Sequence, residues 1–155
     1  MADFLELCDR IETLDLPKSA SRKAYSGIKE DGLFMNIATV LKCAADNEMY
    51  DMVSRAAYDK VDHIIALNKP IENGWREHVV PCTMITQEAY RMFDEDNATV
   101  AQVAVMIQSN LFIVHITKEE QQRVDVELGL KTAMPDGWEF GDDVFARLDA
   151  AQIKY

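Results

Sequence analysis

The sequence predicts an α+β fold, a mostly helical single domain spanning 1–155 with a short β-hairpin or two-stranded element in its carboxy-terminal half. Three observations lead there. Apolar residues recur at helical spacing through the first 70 positions, the pattern turns β-branched after Pro70, and 155 residues with 48% hydrophobic composition suffice for one buried core. The chain therefore reads as a helical layer, 1–70, followed by an α+β region, 71–155.

Taken in order, Phe4, Leu5, Cys8, Ile11 and Leu14 share a helical face and Leu16-Pro17 ends it, which predicts a first helix over 2–14. A helical turn is expected around Ser19 to Tyr25. Leu33, Phe34, Ile37, Val40, Leu41 and Ala44 form the next stripe, after Asp31-Gly32 and before Asp46-Asn47. A third helical pattern runs from Met49 to Leu67 and stops at Asn68-Lys69-Pro70. Ile71 to Gly74 is turn chemistry, and Trp75 to Ile85 reads as strand or extended loop interrupted by a proline. Thr86 opens a helix carrying Ala89, Tyr90 and Phe93, and a further helix places Val100, Val103, Ala104 and Ile107 on one face. Phe112 to Ile116 is a short strand. Thr117-Lys118-Glu119-Glu120 has capping-box spacing and announces a helix to about Leu128, with Gly129 as its stop. A last amphipathic helix runs through Val144, Phe145, Leu148 and Ile153.

Charge restricts the partners. Sixteen Lys plus Arg stand against 27 Asp plus Glu, a net charge of -11. Nucleic-acid affinity comes largely from neutralising phosphates, so DNA is repelled unless the few cations gather on one face. The sign favours a basic partner surface or plain solubility. Three scattered cysteines, Cys8, Cys43 and Cys82, suggest neither a disulfide framework nor a zinc site. No run approaches 18 apolar residues, and acidic residues occupy the amino terminus, so the expectation is a soluble cytoplasmic protein with no membrane partner.

The chemistry-bearing stretch is Glu77-His78-Val79-Val80-Pro81. It resembles the D/E-H-h-h-P string, with h apolar, of the HNH or ββα-metal nucleases, and Asn110 to Asp125 resembles the strand and helix that complete that motif. The strings EHVVPC, ITKEEQ, MPDGW and FARL are similar to ones found together in uncharacterised phage and bacterial HNH-like proteins. The resemblance covers 75–153. It implies a metal-dependent endonuclease working with Mg²⁺ or Mn²⁺, in which His78 is the base and Glu77 a metal ligand. The chemistry suits those residue types, because an imidazole can take a proton from water near neutral pH while a carboxylate holds a hard cation. Adjacent strand residues point to opposite faces, however, so the pair works together only where the backbone twists or the metal lies at the strand end.

The helix that should complete the site departs from the family pattern. It offers Glu119, Glu120, Gln121, Gln122 and Asp125 and no histidine. His115, on the preceding strand, is a ligand if it faces His78, and is otherwise an ordinary strand residue. Glu120 is either a substitute ligand or the last member of the capping box. Asp62-His63-Ile64-Ile65 repeats the string inside a helical pattern and lacks the proline, which makes His63 an ordinary helix residue. Cations for DNA would come from Arg76, Lys118 and Arg123, with Lys69 nearby. Two functions follow: an HNH-like nuclease acting on DNA, or an acidic phage or mobile-element protein whose degenerate HNH frame docks on a basic protein surface as an inhibitor or DNA mimic. The first requires Glu77, His78, His115 and Glu120 to converge on one cleft.

Overall fold

The computed structural model describes residues 30–46, 58 and 64–155. The expected helix over 2–14, the turn at 19–25, most of the helical pattern from Met49 and the Asp62-His63 string lie outside these residues. The fold is α+β: α1 (Glu30–Asp46), β1 (Ile65–Ala66), β2 (Trp75–His78), α2 (Cys82–Asp94), α3 (Val100–Asn110), β3 (Phe112–Ile116), α4 (Lys118–Gln122), a π-helical turn (Arg123–Glu127) and α5 (Ala146–Ala150). The chain forms two compact units, Met1–His63 with Thr86–Gln108 and Ile64–Ile85 with Ser109–Tyr155.

In the first unit the predicted stripe of α1 is the buried one, with Phe34, Ile37, Leu41 and Ala44 all below 4% exposure. Ala89, Tyr90 and Phe93 of α2 and Val103, Ala104 and Ile107 of α3 are buried likewise. Lys42 lies over the Phe93 ring, 5.3 Å from its centroid. The α3 helix opens with a capping box, since Gln102 Oε1 accepts from the Thr99 amide at 2.8 Å and the Gln102 amide donates to Thr99 Oγ1 at 3.3 Å.

The second unit is built on a three-stranded sheet in the order β1-β3-β2, with β1 parallel and β2 antiparallel to β3. The two-stranded expectation is thus right for β2 and β3 and one strand short. Ile65–Ala66 is strand, although it closes the stretch whose spacing predicts helix to Leu67. A periodic apolar run as short as Ile64 to Leu67 fits either state, and pairing with β3 decides it. The turn before β2 needs its glycine, because a Cβ on Gly74 would meet Ile71 Cβ at 2.8 Å and the Ile116 carbonyl oxygen at 2.9 Å.

Two further boundaries move. The α2 helix begins at Cys82, four residues before Thr86, because Pro81 starts it: the Met84 and Ile85 amides donate to the Pro81 carbonyl at 2.9 and 3.2 Å. The last helix is only Ala146–Ala150, and Gln152 takes a left-handed φ of 55° that turns Ile153 back into the core. That core consists of Val79, Val114, Ile116, Val124, Leu148, Ala151 and Ile153, with Phe112, Leu130, Val144 and Phe145 packed against it.

Candidate functional site

Register sorts the expected site residues between two sheet faces. Trp75 pairs with Ile116, Arg76 with His115, Glu77 with Val114 and His78 with Ile113. Directly paired residues share a face and neighbours along a strand alternate. Glu77 therefore lies with Val79, Val114 and Ile116 on the face that forms the core, while Arg76, His78 and His115 lie on the other. Register thus places Glu77 and His78 on opposite faces of the sheet.

On the core face Glu77 meets Arg147. The guanidinium is 0% exposed, and its Nη2 donates to Glu77 Oε1 at 2.5 Å and also to the His78 carbonyl oxygen, while Nη1 donates to the Leu130 carbonyl oxygen at 2.9 Å. One side chain thereby ties β2, the loop after the π-helical turn and α5 together. Burial pushes the Glu77 carboxyl above its ordinary range, Arg147 pulls part of that back, and the charge of Asp125 adds to the rise. Asp125 projects from the π-helical turn and accepts a hydrogen bond from Gln121 through Oδ2.

His115 is held by Asn68, two residues past β1. The Asn68 amide acts as an extra strand residue, with Oδ1 accepting from the His115 amide at 2.7 Å and Nδ2 donating to the His115 carbonyl oxygen at 3.0 Å. The His115 Nδ1 lies 3.3 Å from the same Oδ1. Since Oδ1 is an acceptor only, that contact favours the tautomer with its proton on Nδ1.

Glu120 closes the capping box: its Oε2 accepts from the Thr117 amide at 2.8 Å and its own amide donates to Thr117 Oγ1 at 3.2 Å. The residues expected to face DNA are separated in role. Arg76 and Lys118 are exposed, whereas Arg123 donates to the Ala151 carbonyl oxygen at 2.7 Å and so fastens α5. Among the described residues no three His, Cys, Asp or Glu side chains gather into a group that could hold a metal ion. The convergence of Glu77, His78, His115 and Glu120 expected from sequence is therefore not what the chain builds. Glu77 faces the core against an arginine, and Glu120 caps a helix.

Two positions that organise this region lie outside the motif. Arg147 falls on the stripe Val144, Arg147, Leu148, Ala151, the apolar face of the last helical segment, and a charge on such a face signals a buried partner. Asn68 carries no comparable signal, because its contact with His115 spans 47 positions. No family model matches the chain, and neither a curated protein nor a solved structure matches it. No helix of the described residues is long and apolar enough to cross a membrane.

Proposed function

We propose that this is a non-enzymatic acidic protein that docks on the basic, nucleic-acid-binding surface of another protein in the cytoplasm, its HNH-like string kept as a structural frame. One observation carries the reading. The carboxylate that a nuclease would use for its metal accepts a hydrogen bond from a buried guanidinium at 2.5 Å, on the sheet face opposite His78. Truncating either partner would leave an uncompensated buried charge, so the pair is a fixed part of the core. With Glu120 in a cap and Arg123 on a backbone carbonyl, the remaining distinctive property is the net charge of -11. Complementary charge raises association rates and excludes like-charged competitors, and it weakens as salt is added.

Two measurements test this. Supercoiled plasmid incubated with the protein and Mg²⁺ or Mn²⁺ should stay intact. Labelled duplex should be displaced from a basic DNA-binding protein, less effectively as salt rises. Metal-dependent cleavage that disappears in His78→Ala would overturn the proposal in favour of the nuclease, and failure to displace duplex from any of a panel of such proteins would remove it altogether.

A further inference from the structure

We infer that the basic partner is met by the surface of Trp138, Phe140, Phe145 and Tyr155 with Asp142, Asp143 and Asp149, and that this surface takes an arginine-bearing segment in preference to a lysine-bearing one. The inference rests on the proposed function and names its docking element.

Hydrogen bonds and ring contacts link these residues, of which Tyr155 and the acids are exposed and Trp138, Phe140 and Phe145 are half-buried. Trp138 Nε1 donates to the Asp143 carbonyl oxygen at 2.8 Å, and the Phe145 amide donates to Asp143 Oδ1 at 2.9 Å. Trp138 and Phe140 meet edge to face with centroids 5.0 Å apart, and Phe145 and Tyr155 stack at 4.4 Å. The Tyr155 hydroxyl lies near Asp149 and Asp143. Phe145 packs on the core, which fixes the platform, while Tyr155 stays 47% exposed. The backbone is held as well, with the Glu139 amide on Asp142 Oδ2 at 2.9 Å and the Trp138 amide on the Pro135 carbonyl at 3.1 Å. A preorganised loop loses little conformational freedom on binding.

The partner chemistry follows from charge and shape together. From Pro135 to Tyr155 five acids, Asp136, Glu139, Asp142, Asp143 and Asp149, are exposed, against one exposed cation, Lys154. A carboxylate has about four acceptor positions, so one internal hydrogen bond leaves room for a guest donor. Aromatic rings beside carboxylates suit a guanidinium, which stacks by its plane and forks to an acid by its edge; an ammonium is a compact, strongly hydrated point charge. Bulk attraction by a charge of -11 would not tell the two apart.

The test titrates the full chain with two labelled peptides of equal length and charge, one arginine-based and one lysine-based, read by fluorescence anisotropy. The arginine peptide should bind on the order of tenfold more tightly, and Trp138→Ala and Tyr155→Ala should each erase the difference while Trp75→Ala keeps it. Should Trp138→Ala melt early, Tyr155→Ala and Asp142→Asn decide. Equal affinities, a preference that survives these variants, or a dimer that Trp138→Ala splits would overturn the inference. Equal affinities with duplex displacement intact would remove the docking surface and leave the proposed function standing; loss of displacement would remove both.

Discussion

Arg147 and Arg91 are both ion-paired arginines, and they differ in almost everything else. Arg91 reaches three carboxylates, Glu88 at 2.7 Å, Asp96 at 3.0 Å and Glu95 at 3.8 Å, with its side chain 43% exposed. Arg147 reaches one, Glu77, with 0% exposed, and donates besides to two backbone carbonyls while its buried Nε makes no hydrogen bond. A count of partners would rank Arg91 first. Dielectric reverses the ranking, because water screens the exposed cluster while the buried guanidinium has no solvent to return to. The number of charges around a group therefore says less than what surrounds the charges.

The largest expected effect is at Arg147. Arg147→Ala leaves Glu77 buried without its cation and frees the His78 and Leu130 carbonyls, and breaking a buried pair of this kind costs about 3–5 kcal/mol. The midpoint of chemical denaturation should fall accordingly. A loss as small as that of a surface substitution would show that water reaches Glu77 and that the contrast with Arg91 is one of geometry only. The contrast sharpens with Glu77→Leu and Arg147→Leu combined. Two apolar residues on the same core face should recover most of the stability, since the desolvation of both charges disappears with them.

A smaller effect is expected from pH. Burial raises the Glu77 carboxyl above 4.5, so the native state holds this proton in a range where the unfolded chain has released it. Glu77 therefore contributes stability that is fully present below pH ~4.5 and is lost as pH rises through the higher native value. Thermal melts should show wild type declining relative to Glu77→Gln across that window. The opposite slope would mean that attraction to Arg147 outweighs burial.

Much of this was legible in the sequence and the rest was not, for identifiable reasons. Stripes of local origin, such as Phe34 to Ala44 and Val100 to Ile107, lie within helices, and the Thr117 to Glu120 box forms as its spacing requires. The Thr99-x-x-Gln102 box was equally available as a pattern. Ile65–Ala66 was not, because its state is set by pairing with Phe112 and Ile113 more than 40 positions away. At the candidate site the stretch read as strand or extended loop is strand only over Trp75–His78; which face each side chain takes depends on register, and the partner of Glu77 lies 70 positions along the chain. The two anomalies that could have joined them were an acid between Trp75 and Val79 on a core face and an arginine between Val144 and Leu148 on another.

The smallest effect is expected at Arg91, where the comparison can be broken outright. In Arg91→Ala the carboxylates of Glu88, Glu95 and Asp96 lose a shared cation but remain in contact with water, and three like charges near the end of α2 repel one another. Screening limits that repulsion to about a Debye length, ~10 Å at 0.1 M salt. The variant should melt close to wild type at moderate salt and separate from it only when salt is withdrawn, whereas Arg147→Ala should stay destabilised at every ionic strength. A salt-independent loss at Arg91 would mean that its three-carboxylate cluster acts as a packed unit like the one at Arg147, and that exposure is a poor guide to which arginine holds its part of the chain together.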